Sequence, residues 1–200
     1  FEEALKRDIL NLRLYLLICV PYETSTDIEA IVDMAKEMKS VLLPHAKRTG
    51  RMGQIRFTIS PMVPKPHTPF QWVAMENPKT ISRKLEFLKK EINRLGGMKV
   101  SSASARLAYQ EGVFARGDRR LGKVILELSR GESWNGAFRK HGLDPDFYAL
   151  RPRSFLEVNP WDYLDLNVKP QFLRLEFNKH NKGFMTSQCD TTVCKKCGAC

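Results

Sequence analysis

The sequence has no apolar run long enough to cross a membrane. Its longest, residues 14–20, has the length of a strand, whereas a spanning helix needs about 20 such residues. Cysteine is scarce over most of the chain, because four of the five cysteines fall in the last twelve residues. A secreted disulfide scaffold would spread its cysteines more evenly. We therefore expect a cytoplasmic protein with no membrane partner.

Acidic residues are in the minority. The 200 residues include 22 Asp and Glu against 33 Lys and Arg, which gives a formal net charge of +11. With 42% hydrophobic residues the chain can form a real core, which excludes wholesale disorder. A basic excess favours polyanionic partners such as nucleic acid, because Lys and Arg neutralise phosphates. Basic surfaces without such a role are also common, so charge alone leaves both interpretations open.

The first hundred residues show an alternation of strand and helix patterns. Residues 13–19 form a nearly continuous apolar run, typical of a buried parallel strand. Apolar residues at helical spacing then predict a helix over residues 26–42, ending near Pro44. Residues 54–60 alternate in polarity and predict a second strand. This order predicts a βαβ unit with a parallel pair of strands.

Later segments alternate between stiff loops and helices. Residues 61–72 hold four of the eleven prolines and predict an extended loop. An apolar stripe of helical spacing follows and ends at Gly96 and Gly97, before a short strand over residues 99–102. Further helices are predicted over residues 104–115, 119–130, 133–141 and 170–180.

The segments that follow the two strands carry candidate ligand contacts. Ligands of parallel α/β folds bind at the carboxyl ends of the strands, so Glu23 is a candidate. The alternative is a carboxylate that only stabilises a helix N-terminus. His67, in the proline-rich loop, is a candidate acid, base or polar contact, unless that loop only covers the core. The apolar neighbours of Cys19 favour a small core residue.

A glycine- and arginine-rich segment, residues 112–125, is a candidate for anion binding. Arg116, Arg119 and Arg120 stand here beside three glycines, in a form that suits a phosphate or a nucleic-acid backbone. The alternative is the solvated, basic beginning of a helix.

The end of the chain has the spacing of a metal site. Cys189, Cys194, Cys197 and Cys200 form a C-x4-C-x2-C-x2-C pattern, in which short spacers let several thiolates face one centre. Gly198 lies in the last spacer, where a sharp turn helps. Runs of this kind bind 4Fe–4S clusters, and all-cysteine zinc sites also exist. Iron–sulfur, zinc and a metal-free tail therefore remain open.

Several segments together resemble the radical S-adenosylmethionine (radical SAM) superfamily. LYLLICVPYETSTDIEAI resembles its strand-plus-turn segment GLPxET, and VPKPHTPFQW is similar to the proline-rich loop after the next barrel strand. EGVFARGDRRLGKVI, HGLDPDFYALR, NPWDYLDLNV and the cysteine tail resemble a largely uncharacterised group within it. The resemblance covers nearly the whole chain. Cys19 replaces the usual Gly of the turn, and Tyr22 replaces a residue that is usually small or polar.

The resemblance implies a fold and three regions. The fold class is α/β: the C-terminal part of a (β/α)6 partial TIM-like barrel, a mainly helical extension and a cysteine-rich tail. Residues 1–102 would supply late strands and helices of the barrel. Residues 103–182 would form the extension, and residues 183–200 the metal-binding tail.

The resemblance also implies a function and cofactors. Radical SAM enzymes use a 4Fe–4S cluster to cleave S-adenosylmethionine to a 5′-deoxyadenosyl radical, which abstracts hydrogen from the substrate. Pro21, Glu23 and Ser60 match positions close to S-adenosylmethionine, and the four tail cysteines match an auxiliary cluster or zinc site. The substrate is unknown, RNA is one candidate, and no catalytic residue is assigned here.

One family motif is missing from the sequence. The C-x3-C-x2-C motif that holds the radical-generating cluster does not occur. We therefore expect a C-terminal fragment that needs the rest of its parent polypeptide and does not turn over alone. Some members of the group look as though they carry a cobalamin-binding-like domain upstream, so cobalamin is a candidate cofactor of the parent.

A second hypothesis needs no enzyme activity. A zinc-stapled basic module that binds RNA would also account for the tail and for the charge of +11. Two measurements distinguish the hypotheses. One is whether the chain contains iron and acid-labile sulfide or zinc, and the other is how steeply its affinity for nucleic acid falls with salt.

Overall fold

The computed structural model describes residues 1–199, which form two compact units. The first combines Phe1–Met62 with Glu76–Ala108, and the second combines Val63–Met75 with Tyr109–Cys200, of which Cys200 lies outside the described residues. Among the described residues no helix has the length and apolar character needed to cross a membrane.

The first unit is built on a parallel sheet. Its strands are β1 (Leu12–Ile18), β2 (Ile55–Pro61) and β3 (Met98–Ser102), which lie side by side in chain order. Both strand pairs are parallel. Helix α1 (Glu2–Lys6) precedes the sheet, α2 (Ser25–Thr49) joins β1 to β2, and α3 (Pro78–Arg94) lies between β2 and β3. The predicted α/β class and the parallel βαβ unit are confirmed.

The two faces of this sheet differ sharply. Alternate residues along a strand point to opposite faces, and one set is apolar and buried or half-buried: Leu12, Leu14, Leu16, Ile18, Ile55, Phe57, Ile59, Met98 and Val100. The apolar stripes of α2 and α3 are buried as well, so both helices cover this face. On the other face, Tyr15 is 72% exposed and Leu17 is 53% exposed.

The predicted end of the first long helix was wrong. Helix α2 passes through Pro44 and continues to Thr49. A proline inside a helix lacks an amide donor and costs about 3 kcal/mol, but the buried stripe continues through Leu42 and His45. The helix ends at Gly50, whose left-handed φ of 70° lets its amide donate to the Ala46 carbonyl.

The second unit is mainly helical. Helices were predicted at α4 (Ala105–Ala115, which begins in the first unit), α5 (Leu121–Ser129), α6 (Trp134–Lys140) and α8 (Pro170–Asn181), and all are present. The short helices α1 and α7 (Pro145–Ala149) were not predicted. One core cluster of the second unit consists of Val113, Leu121, Val124, Ala137, Phe138, Tyr148 and Ala149.

Candidate functional site

The predicted cofactor contacts of the first unit lie at one edge of its sheet. Pro21 and Glu23 follow the end of β1, and Ser60 lies near the end of β2, where it is exposed. The register pairs Leu17 with Ser60. Because the strands are parallel, the turn after β1 and the end of β2 share the carboxyl edge, where ligands of such sheets bind.

Glu23 holds this turn through both carboxylate oxygens. Its side chain is only 5% exposed. Oε2 accepts a hydrogen bond from the Cys19 amide at 2.7 Å, and Oε1 accepts one from Nζ of Lys84 on α3 at 2.6 Å. The carboxylate therefore ties the end of β1 to α3, a role that the sequence did not reveal.

The backbone of the turn after β1 takes a left-handed conformation at two residues. Cys19 and Tyr22 have left-handed φ values of 63° and 66°, a region that glycine enters without steric cost. Cys19 fills a position that glycine suits better. Burial raises the pKa of its thiol to about 12, and although Lys84 opposes the shift, the charges of Glu23 and Glu76 add to it. Cys19 is 6% exposed and is therefore a small core residue, as predicted.

A cavity of about 430 Å³ adjoins this turn. It lies between the first turn of α2 and α3, and its walls include Glu23, Ile28, Arg83, Lys84 and Phe87. Burial acts to lower the pKa of Lys84, but the hydrogen bond to Glu23 and the charges of Glu23 and Glu76 raise it overall. The ammonium group is therefore kept charged beside the cavity.

Three of the four predicted metal ligands line one cavity of the second unit. Cys189, Cys194 and Cys197 border a space of about 620 Å³, together with residues of α8. The Cys194 amide donates to the Asp190 carbonyl at 2.8 Å, and the Lys169 amide donates to the Cys197 carbonyl at 2.8 Å. Cys200, the fourth predicted ligand, lies outside the described residues.

The tail has the donor chemistry of a thiolate site. Gly198 has a φ of 90°, and a Cβ atom there would lie 2.8 Å from the Asn167 carbonyl oxygen. Glycine suits this backbone conformation and this close approach. Among residues 1–199, no three His, Cys, Asp or Glu side chains approach closely enough to hold a metal ion. The donor set suits a cluster or zinc, and its ligand geometry stays a prediction.

The proline-rich loop borders a separate cavity of about 320 Å³ within the second unit. His67 lines it with a left-handed φ of 55°, and within the described chain its buried Nε2 has no hydrogen-bond partner. Gln71 accepts hydrogen bonds from the His67 amide and from Nε1 of Trp161 at 2.7 Å. The loop is therefore an ordered wall with one unpartnered imidazole nitrogen.

Arg116 does not bind an anion from solvent, contrary to the interpretation of residues 112–125. It is 0% exposed, and its guanidinium donates to the carbonyls of Ala149 at 2.9 Å and Arg151 at 3.1 Å. Burial, together with the charges of Arg153 and Arg151, lowers its pKa to about 10.

Arg120 is also engaged within the chain, because it pairs with Asp118 at 2.7 Å, whereas Arg119 is exposed. The burial of Arg116 had a sequence signal. It is the first residue after α4 and follows the buried Gly112 and Val113 of that helix at helical spacing.

A second buried arginine completes this network. Arg153 donates to the Arg116 carbonyl at 2.8 Å and to Oε1 of Glu157 at 3.0 Å, and Arg151 binds both oxygens of Glu157. The hydrogen bond from Arg151 lowers the pKa of Glu157, an effect that burial partly opposes. The network fixes the segment after α7 rather than offering charge to a ligand.

Comparison with known proteins gives one similarity. The chain is 25% identical to uncharacterized protein MJ0966 of Methanocaldococcus jannaschii over 140 residues. These residues are 70% of this chain and 29% of the Methanocaldococcus protein. No family model matches the chain, and no solved structure matches it.

Proposed function

We propose that this chain is the C-terminal part of a radical SAM iron–sulfur enzyme. In this proposal the first unit supplies late strands of a (β/α)6 partial barrel, and the tail holds an auxiliary metal centre. The radical-generating cluster belongs to another part of the parent polypeptide. When bound there, it would supply the electron that cleaves S-adenosylmethionine to the 5′-deoxyadenosyl radical. A reducing, cytoplasmic setting suits the tail thiols.

The observation that carries the proposal is the winding of the sheet. Its three parallel strands follow one another in chain order, and both connecting helices cover the same face. Each half of a doubly wound sheet winds in the same way, and the complete sheet differs by reversing its strand order and covering both faces with helices. Continued winding in one direction instead curls a sheet towards a barrel, whose interior is the face without helices. In this proposal the open face with the exposed Tyr15 and Leu17 would become part of such an interior.

The turn after β1 would shape the cofactor pocket through its backbone. Both oxygens of Glu23 are bonded to Cys19 and Lys84, so Glu23 is a positioning residue. It fixes the left-handed conformation of Cys19 and the course of the chain towards Pro21. Ser60, exposed on the open face near the same edge, is free to contact S-adenosylmethionine with its hydroxyl group.

The tail would hold its metal through cysteine thiolates. Cys189, Cys194, Cys197 and Cys200 would be the ligands, and Lys195 and Lys196, which also border the cavity of the tail, would offset the negative charge of the centre. Four cysteines occupy all the iron positions of a 4Fe–4S cluster. This centre would therefore serve electron transfer or structure and would not bind S-adenosylmethionine.

Metal analysis tests the auxiliary centre. The chain is purified without oxygen, and iron, acid-labile sulfide and zinc are measured per chain. We expect about four iron and four sulfide, lost in Cys197→Ser and kept in Cys19→Ser, because Cys19 is a buried core thiol outside the tail. About one zinc with no iron would reject the cluster.

A basic module that binds RNA remains the alternative, favoured by the net charge of +11. Its phosphate contacts would make RNA affinity fall steeply with salt. Zinc in the tail, together with such salt-dependent binding, would support this alternative over the enzyme.

A further inference from the structure

The open face of the sheet carries a row of three positive charges. The register pairs Arg13 with Arg56, and Arg56 with Lys99. Residues paired across neighbouring strands point to the same face, and the strands lie about 4.8 Å apart. The three cations therefore form one line across the sheet. Each is the second residue of its strand, so the line lies near the amino ends.

No carboxylate of the described chain neutralises this row. Among residues 1–199, none of the three cations forms an ion pair. The open face has no acidic residue, since it consists of Arg13, Tyr15, Leu17, Arg56, Thr58, Ser60, Lys99 and Ser101. Like charges directly opposite one another destabilise a sheet. An acidic neighbour would make the same arrangement favourable.

The rest of the face is also suited to contact with protein. Parallel sheets are covered on both faces in nearly all α/β proteins, and here the exposed Tyr15 and Leu17 continue from the cationic row towards the carboxyl edge. A small anionic ligand would leave these side chains in water. It would also lie at the amino ends of the strands, whereas ligands of such sheets bind at the carboxyl ends. Both points favour a polypeptide over a phosphate ligand.

We propose that this face packs against a polypeptide segment that places carboxylates opposite Arg13, Arg56 and Lys99. The inference rests on the proposed function in one respect: in a barrel, earlier strands of the parent polypeptide would supply that segment. The length of the Methanocaldococcus relative agrees with this, because the matched residues are only 29% of it. If the carboxylates lie on neighbouring strands of that segment, their spacing would match the spacing of the cations, because neighbouring strands are always about 4.8 Å apart.

Calorimetric titration with the peptide hexaglutamate at low ionic strength tests the inference. Arg56→Gln and Lys99→Gln each remove one charge from the row. Lys89→Gln is the matched control, because Lys89 is exposed on α3 away from the sheet face. We expect about two- to fivefold weaker binding for each row variant, which lies within the range for exposed ion pairs. For the control we expect a change of less than about 1.5-fold.

Two results would overturn the inference. Equal loss in Lys89→Gln and the row variants would show that hexaglutamate senses only net charge. Inorganic phosphate that binds more tightly than hexaglutamate, and loses affinity in Arg56→Gln, would make the row a phosphate site. The proposed function fails in a different way. If the chain contains no iron but the row variants still bind hexaglutamate more weakly, the cluster is rejected and the acidic segment is supported.

Discussion

Replacing Glu23 tests whether its carboxylate holds the turn after β1. A hydrogen bond to a charged group contributes about 1.5–3 kcal/mol, and Glu23 makes one to the Cys19 amide and one to Lys84. Glutamine keeps an oxygen for the amide but loses the ion pair. An unpaired buried charge costs about 3–5 kcal/mol. Water and Glu76 partly compensate the charge of Lys84, because its side chain is 21% exposed and lies 4.0 Å from Glu76. We therefore expect Glu23→Gln to lower the free energy of unfolding by about 2 kcal/mol.

Glu23→Ala also leaves the Cys19 amide without its acceptor. An unsatisfied buried donor costs about 1–3 kcal/mol, so we expect a total loss of about 3–4 kcal/mol. Equilibrium unfolding in urea measures both variants, and Glu29→Gln serves as the control because Glu29 is an exposed glutamate of α2, the helix that follows the turn. We expect the control to change the free energy of unfolding by less than about 0.5 kcal/mol. Losses that small in both Glu23 variants would refute the role of this carboxylate.

The same contact predicts a pH dependence. The pKa of Lys84 is raised above its ordinary value of 10.5, so its contribution to stability is complete below that pH. The contribution is lost as pH rises through the higher pKa of the folded state. The difference in unfolding free energy between the native chain and Glu23→Gln should therefore narrow above pH 10.5. A constant difference through that range would contradict the ion pair.

Three further predictions concern groups that are buried or partly buried. Burial raises the pKa of the Cys19 thiol to about 12, so this thiol should resist alkylation by N-ethylmaleimide in the folded chain and react once the chain is unfolded. Peptide mapping by mass spectrometry measures the alkylation. Arg116→Ala should cost about 4 kcal/mol in urea unfolding, because two carbonyls lose a charged donor, whereas the exposed Arg119→Ala should cost less than about 0.5 kcal/mol. The lowered pKa of Glu157 gives stability that is complete above its ordinary value of 4.5 and is lost as pH falls. Lowering the pH from about 5 to about 3 should therefore reduce the free energy of unfolding of the native chain more than that of Glu157→Gln.

Elements with a strong local pattern were predictable from the sequence. The apolar and alternating runs fixed β1 and β2 to within one residue at either end, because side-chain alternation depends on neighbours in the chain. The end of α2 was not predictable in this way. Proline opposes a helix locally, but burial of Leu42 and His45 depends on packing that the local sequence does not contain.

The candidate site shows the same limit. The position of Glu23 after a parallel strand placed it at a carboxyl edge, as general rules of such sheets predict. Its partner Lys84 lies 61 residues further along the chain, and only tertiary packing brings the two together. The glycine- and arginine-rich pattern of residues 112–125 predicted either an anion contact or a solvated helix start for Arg116, because arginine is rarely buried and nothing in the local sequence shows its partners. The carbonyls that satisfy it lie 33 and 35 residues away.

The most direct test of the radical SAM proposal is 5′-deoxyadenosine formation by the full-length parent polypeptide. The polypeptide is prepared without oxygen, reduced with dithionite and supplied with S-adenosylmethionine, and the product is measured by liquid chromatography and mass spectrometry. We expect 5′-deoxyadenosine to form, and the apparent affinity for S-adenosylmethionine to fall in Glu23→Ala but not in Glu29→Gln. A fully iron-loaded, reduced polypeptide that yields no 5′-deoxyadenosine would contradict the proposal.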